Sequence, residues 1–116
     1  VSLRVMKEVG KSARGSSTGK PIMVLFDVLG ERWSLRILWE LSQTRLNFRG
    51  LQEKCGNISP TVLNKRLKQF RALNFIDHNS EGYGYTEFGK QLSCHLLALE
   101  SWANQWAKNQ AEGQND

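Results

Sequence analysis

The sequence predicts a mainly helical fold with one small β-hairpin, and three observations support this expectation. Apolar residues recur at helical spacing over two segments, residues 59–74 and 87–109. Proline or glycine stands at the boundaries of several helical segments. The triplet Ser-Glu-Gly at residues 80–82 separates two short segments in the manner of a tight hairpin turn. At 116 residues, the chain has room for one domain of this kind.

The composition is that of a globular protein. Hydrophobic residues make up 40% and charged residues 23% of the chain, which excludes a disordered or fibrous protein. The longest apolar run, residues 22–26, is far shorter than the roughly 18 residues that a membrane span needs. The first residues lack the apolar segment of a secretory signal, and the two cysteines form no Cys-x-x-Cys pair. We therefore expect a cytoplasmic protein with reduced thiols and no membrane partner.

Two helices are expected at the start of the folded region. Pro21 is a favourable first residue for a helix over residues 22–29, and Gly30 is a typical residue at a helix end. Ser34 belongs to the residue types that cap helix N-termini. It precedes an amphipathic segment, so the sequence predicts a second helix at residues 35–42.

The middle of the chain contains the strongest helix signal. Residues 45–48 predict a short extended segment, and residues 50–54 predict a brief helix. The pair Ser59-Pro60 combines a capping residue with a proline at the first helical position, so it predicts a long helix at residues 59–74. One face of this helix is apolar and comprises Leu63, Leu67, Phe70 and Leu73.

The C-terminal part predicts a hairpin and then a long helix. Residues 75–79 and 83–86 are expected to form the two strands. Residues 87–109 have an apolar stripe at helical spacing. The sequence shows no internal repeat. The stripe comprises Phe88, Leu92, His95, Leu96, Leu99, Trp102, Ala103 and Trp106.

This order of elements predicts a winged helix-turn-helix. Two helices joined by a glycine-containing turn, of which the second is strongly basic, are typical of a DNA-binding helix-turn-helix, and the hairpin after them is a wing. The long last helix is expected to serve dimerisation. We expect the domain at residues 20–109, between a flexible basic tail at residues 1–19 and a polar tail at residues 110–116.

The distribution of charge favours a polyanionic partner. The formal net charge is +5, but residues 1–20 and residues 59–74 each carry +4, so the rest of the chain is mildly acidic. Two basic segments on an acidic body suit binding to nucleic acid. Composition alone is equally compatible with the alternative that these charges are merely solvated.

Three blocks of sequence occur in a characteristic order between residues 20 and 106. The first is Phe-Asp-Val-Leu-Gly-Glu-Arg-Trp-Ser at residues 26–34, followed by Ile37, Leu38 and Leu41. The second comprises Phe48, Leu51, Ile58, Ser59, Leu63, Arg66, Leu67, Phe75 and Ile76. The third comprises Tyr83, Tyr85, Thr86, Gly89 and Leu92. Together they resemble the HxlR family of bacterial and archaeal transcription regulators, which are relatives of the MarR-like winged helices.

The resemblance implies a winged-helix homodimer that binds a palindromic operator in double-stranded DNA and regulates transcription at the nucleoid, without a cofactor. Many family members carry a cysteine just before the position of Pro21, which some use for redox sensing, whereas this chain has Lys20 there. The family wing is also usually longer. We therefore expect that neither Cys55 nor Cys94 is an obligatory redox switch and that the wing reads little sequence. A small-molecule effector remains open.

The outward face of the helix at residues 59–74 supplies most candidates for DNA contact. A major groove admits one helix, whose N-terminal residues usually reach base edges, while later residues lie nearer to phosphates. This assigns base contacts to Thr61, Asn64 and Lys65 and phosphate contacts to Lys68 and Arg71, with Ser59 beside them at the helix start.

Three further candidates have an equally good structural explanation. Arg66 lies beside the apolar stripe, where a guanidinium either forms a structural ion pair or faces a phosphate. Ser34 could present backbone N–H groups to a phosphate, but a plain helix cap is favoured. Asn79 at the wing tip could contact the DNA backbone, although ordinary turn chemistry accounts for it as well.

The apolar stripe of the last helix is longer than the small domain needs for its own core. We expect a homodimer in which this helix packs against residues 22–29 of the partner. The interface candidates are Leu96, Leu99, Trp102 and Trp106. No recognisable set of catalytic or metal-binding residues occurs, so an enzyme is not expected. The alternative function is a winged helix that binds another protein and no DNA.

Overall fold

The computed structural model describes residues 19–114, so residues 1–18 of the predicted basic tail and residues 115–116 lie outside it. Within the described residues, the helices and the hairpin follow one another in the predicted order, but the extended segment predicted at residues 45–48 is reduced to a single bridging residue, Leu46. They are α1 (Pro21–Gly30), α2 (Ser34–Leu41), α3 (Phe48–Lys54), α4 (Pro60–Ala72), β1 (Ile76–Asn79), β2 (Gly82–Tyr85) and α5 (Glu87–Gln114).

A sharp corner joins α1 to α2. As predicted, α1 begins at Pro21 and ends at Gly30. Trp33 then adopts the left-handed conformation with φ of 75°. The prediction that Ser34 is the N-cap is wrong, because Trp33 occupies that position and Ser34 is the first residue of α2. The side chain of Ser34 is fully buried, and its Oγ has no hydrogen-bond partner among residues 19–114, whereas a capping hydroxyl would accept an N–H from the first turn.

The pair α3 and α4 is capped at both N-termini by side chains. Asn47 Oδ1 accepts a hydrogen bond from the backbone N–H of Gly50 at 2.7 Å, so α3 begins slightly earlier than expected. Ser59 Oγ accepts from the N–H of Val62 at 3.1 Å, which confirms the predicted cap of α4. Gly56, with φ of 76°, and the residue after it are both left-handed, so the chain turns sharply between the two helices.

The core lies between α2, α3, α4 and the hairpin. The predicted apolar face of α4 is confirmed, since three of its four members are fully buried and Leu73 is half-buried. Each fully buried side chain of this size stabilises the fold by roughly 1.5–3 kcal/mol. The largest fully buried apolar side chains are Ile37, Leu38, Leu51, Ile58, Leu63, Leu67, Phe70 and Ile76.

The hairpin has a two-residue turn, which is tighter than expected. Asn79 pairs with Gly82, and the strands are antiparallel. Leu46 extends the sheet by one residue, because its N–H donates to Tyr83 O at 3.0 Å and its carbonyl accepts from Tyr83 N at 2.8 Å. A Cβ on Gly82, whose φ is 111°, would lie 2.5 Å from the Leu46 carbonyl, so this close approach requires glycine.

The helix α5 is longer than predicted. Thr86 Oγ1 accepts from the N–H of Gly89 at 2.9 Å near its start, and the helix continues to Gln114. Most of the predicted polar C-terminal tail is therefore helical. The first half of α5 packs onto the core through Leu92 and Leu96. None of the helices in residues 19–114 is long and apolar enough to cross a membrane.

Candidate nucleic-acid interface

The outward face of α4 is a polar and basic surface, which we call the α4 face. It lies opposite the buried stripe of the same helix, because residues that differ from that stripe by about half a turn point to solvent. The helix has no Asp or Glu, and within residues 19–114 no carboxylate pairs with the lysines and the arginine on this face. All its members are exposed: Thr61, Asn64, Lys65, Lys68 and Arg71.

The position of α4 is fixed through α3 as well as through the core. Arg36 of α2 donates from Nη2 to the carbonyl of Lys54 at 2.9 Å, at the end of α3. The Nε of Arg36 also donates to Glu40 at 2.8 Å. A cation at a helix C-terminus is stabilising, since the last carbonyls have no partners inside the helix. The start of α4 therefore follows a segment that is attached to α2 by a directional hydrogen bond.

Arg66 has the structural role, which corrects its assignment as a DNA contact. Only 8% of the residue is exposed. Its Nε donates to the carbonyl of Arg32 at 2.9 Å, and its Nη2 donates to Glu31 Oε2 at 3.4 Å. Both acceptors lie in the corner between α1 and α2. The guanidinium thus points away from the α4 face and into the protein.

Ser34 and Asn79 were the two other candidates for DNA contact, and both have a structural explanation in the protein itself. Ser34 is fully buried, and its backbone N–H donates to Glu31 O at 3.1 Å, so Ser34 itself offers a phosphate no accessible donor. Asn79 is exposed at the wing tip, but its Oδ1 accepts from the N–H of Glu81 at 2.8 Å and so shapes the turn. The strands of the wing contain no lysine or arginine, while Asp77 and Glu81 are acidic.

The sequence reasoning overlooked two arginines, one in α3 and one at the wing. The side chain of Arg49, in the first turn of α3, is 89% exposed and lies 3.7 Å from Glu53, a weak surface pair. Arg45 fixes the wing, since its Nη2 donates to the carboxylate of Asp77 and to the carbonyl of Gly82. The position of Arg49 in the first helix of the motif was the available signal, because that helix crosses the DNA backbone in related motifs.

A separate, apolar surface lies on the C-terminal part of α5, residues 97–114. Leu99, Trp102 and Trp106 are 58%, 63% and 53% exposed, and the two indole rings stack with their centroids 6.1 Å apart. The assignment of Leu96 to a dimer interface is corrected, because it is 8% exposed and packs into the core of its own protomer. An open groove between α2 and α5 continues this surface; it is lined by Leu35, Arg36, Trp39, Leu96, Leu99, Glu100 and Ala103.

The two cysteines differ in accessibility. Cys55 is buried, and burial raises the pKa of its thiol; Glu40 adds to this shift and Arg36 opposes it. Cys94 is exposed on α5. A raised pKa lowers the fraction of the reactive thiolate at neutral pH. Among residues 19–114, no group of three metal-ligating side chains is close enough to hold a metal ion.

Comparison with known sequences agrees with this geometry. The model of the HxlR-like helix-turn-helix family matches residues 28–111. A relative from Bacillus subtilis (strain 168), the uncharacterised HTH-type transcriptional regulator YvaP, is 26% identical over 87 residues, which are 69% of this chain and 81% of that protein.

Solved structures share the fold. The quinone-bound YodB of B. subtilis matches with a TM-score of 0.65 and 27% identity, over 72% of this chain and 96% of that one. Diamide-treated YodB matches with a TM-score of 0.59 and 28% identity, over 73% and 92%. A possible HxlR family transcriptional factor from Thermoplasma volcanium GSS1 has a TM-score of 0.65 at 23% identity, over 77% and 86%. The predicted winged helix-turn-helix fold is thereby confirmed.

Proposed function

Because the chain belongs to the HxlR-like helix-turn-helix family and is a DNA-binding transcriptional regulator, we propose that it acts as a homodimer on a palindromic operator, with α4 in the major groove. The observation that carries this proposal is the α4 face, an exposed set of cations and hydrogen-bonding side chains without a carboxylate. Such a surface attracts phosphates and can donate to base edges.

The residues of the α4 face fall into two groups. Thr61, Asn64 and Lys65 occupy the first two turns, where a helix in the major groove reaches base edges. Asn can pair bidentately with adenine and Lys can donate to guanine, and each good contact discriminates by about 1–3 kcal/mol. Lys68 and Arg71 lie further along the helix and suit phosphates, as does the overlooked Arg49 in the preceding helix.

The proposed homodimer would place two α4 helices about one turn of DNA apart, roughly 34 Å, which matches a palindrome. The exposed Leu99, Trp102 and Trp106 support α5 as the dimer surface, because large apolar patches usually mark an interaction site. We propose that they pack against α1 of the partner, whose outer face exposes Ile22 and Phe26.

We propose that DNA release does not require a thiol. The structure of YodB with quinone concerns that protein, whereas this chain has Lys20 before Pro21 and a buried Cys55. Since its ligand is chromosomal DNA, we expect the protein to act in the cytoplasm at the nucleoid. No catalytic step is part of the proposed role.

The test is a selection of duplexes from a random pool, followed by competition between the selected and a random duplex at several salt concentrations. We expect a palindromic consensus, tighter binding of the selected duplex, and a steep loss of affinity with salt. A consensus sequence without two-fold symmetry would contradict the proposal that the protein binds DNA as a homodimer. Absence of salt-dependent DNA binding would favour the alternative, a winged helix whose exposed tryptophans bind another protein.

A further inference from the structure

The contacts of Arg66 connect the DNA-reading helix to the corner between α1 and α2. We infer that Arg66 and Glu31 are positioning residues that set the rotation of α4 about its own axis, and thereby the register in which the α4 face meets base edges. This inference rests on the proposed function, because it assumes that α4 reads sequence.

Apolar packing alone does not determine this rotation closely. Leu63, Leu67 and Phe70 hold α4 on the core, but apolar burial is non-directional, so it opposes withdrawal of the helix more than rotation. A hydrogen bond has a preferred direction and a narrow range of length. The guanidinium of Arg66 makes its two contacts from one rigid plane, so together they define an orientation and not only a distance.

The acceptors of Arg66 are themselves held in place. The carbonyl of Arg32 belongs to the residue immediately before the left-handed Trp33, and the corner is closed by a hydrogen bond from Ser34 N to Glu31 O at 3.1 Å. The side chain of Glu31 is 31% exposed and that of Arg66 is 9% exposed. The ion pair is therefore partly removed from water and less screened than a surface pair.

Small rotations of α4 would be enough to change base reading. The tips of helix side chains lie about 5–6 Å from the helix axis, so a rotation of about 10° displaces them by roughly 1 Å. Recognition requires placement within about 0.5 Å. Phosphate contacts by flexible lysines tolerate such a displacement, because they depend mainly on charge. The loss of the tether should therefore reduce sequence preference more than it reduces overall affinity.

The experiment compares Glu31→Gln and Arg66→Lys with the wild type on two duplexes, one selected by the wild type from a random pool and one random. Glu87→Gln is the matched control, since it removes one carboxylate from an exposed pair with Lys90 at 3.0 Å on α5. The thermal midpoint of each protein is measured alongside, and binding is followed well below that midpoint.

We expect Glu31→Gln to lower the ratio of selected to random affinity by roughly threefold to tenfold, with the salt slope unchanged. Arg66→Lys should lower the ratio further, because an ammonium cannot reproduce the planar fork. Glu87→Gln should keep the wild-type ratio. A role in stability alone would move the thermal midpoint and leave the ratio unchanged.

Two results would overturn the inference while leaving the proposed function intact: an unchanged ratio in both variants, or an equal loss on both duplexes with a salt slope lower by about one, which would make Arg66 a phosphate contact. A wild type that does not discriminate between the duplexes would instead overturn the proposed function, and this inference with it.

Discussion

The α4 face and the C-terminal part of α5 both belong to amphipathic helices, yet the two helices differ in whether their apolar sides are buried. The α4 face is the polar side of a helix whose other side is largely buried, whereas the C-terminal part of α5 exposes its apolar side as well. The α4 face is polar, so its exposure to water is not unfavourable and requires no bound partner. The C-terminal part of α5 exposes tryptophans and leucines whose burial by a partner would be favourable. We therefore expect mutations to separate DNA recognition from assembly.

The largest effect is expected on α5. Replacing both Trp102 and Trp106 by Glu should weaken the proposed homodimer by a factor of about 100 or more, because buried aromatic residues dominate interface energies. Affinity for a palindrome should fall by a similar factor through lost bivalency. Sedimentation velocity and DNA titration measure the two effects. Gln105→Glu, a charge change at another exposed position of the same helix, is the control and should dimerise like the wild type.

On the α4 face, Asn64→Ala and Lys65→Ala should each cost about 1–3 kcal/mol at particular base pairs and leave the oligomeric state unchanged. Competition between an operator and its single-base variants measures this. If either substitution weakens binding to the operator and to a random duplex by the same factor, that residue does not read bases.

Lys68→Gln and Arg71→Gln should weaken binding to operator and random duplex alike. Each should lower the salt slope by about 0.9, the value for one phosphate contact on B-DNA. Lys108→Gln removes an equal charge from the exposed part of α5 and serves as the control. A loss confined to the operator would move these residues to the base-reading group.

A smaller effect is expected at the wing. The wing is short and acidic, so it differs from both the basic α4 face and the apolar surface of α5. Glu81→Lys places a cation at the turn, so affinity for any duplex should rise by a few-fold and the salt slope should steepen by about one. No change would mean that the hairpin tip lies away from the DNA backbone in the complex. Salt titration distinguishes the two results.

The smallest effect is expected at the cysteines. Cys55→Ser combined with Cys94→Ser should leave DNA binding unchanged, with or without peroxide. In the wild type, iodoacetamide should modify Cys94 well before Cys55, because Cys55 is buried and its pKa is raised. Mass spectrometry of the alkylated protein checks this order. Peroxide-dependent release that disappears in the double variant would show that a thiol is a switch after all.

Sequence reasoning predicted what depends on local pattern. The cap at Ser59, the buried stripe of α4 and the hairpin each follow from neighbours within a few residues, and the structure confirms them. Exposure of Trp102 and Trp106 was also foreseeable, because their stripe continues beyond what a small core can cover. Most of the fold was therefore accessible from the sequence.

Contacts between distant segments account for what was missed. Ser34 resembled a cap in its local sequence, but Trp33 takes that position by adopting a left-handed conformation that few non-glycine residues adopt. Arg66 lies 34 positions from Arg32, and no periodicity indicates that pairing. Leu96 and Leu99 share one sequence stripe, yet only the first is covered by its own protomer. The candidate site was thus predictable for the residues facing outward and not for those that fix α4 from behind.

If the protein is a homodimer, the exposed C-terminal part of α5 would make the lifetime of each protomer depend on the protein concentration. Residues 97–114 extend about 27 Å beyond Leu96 at 1.5 Å per residue. A helix without tertiary packing is only marginally stable in water, so we expect this segment of an unpaired protomer to lose helicity from its free end, with the docked first half as its nucleus. Dimerisation would restore its helicity, which circular dichroism at increasing protein concentration can follow. Frayed chains are preferred substrates for proteases, so dilute protomers would be degraded faster than paired ones.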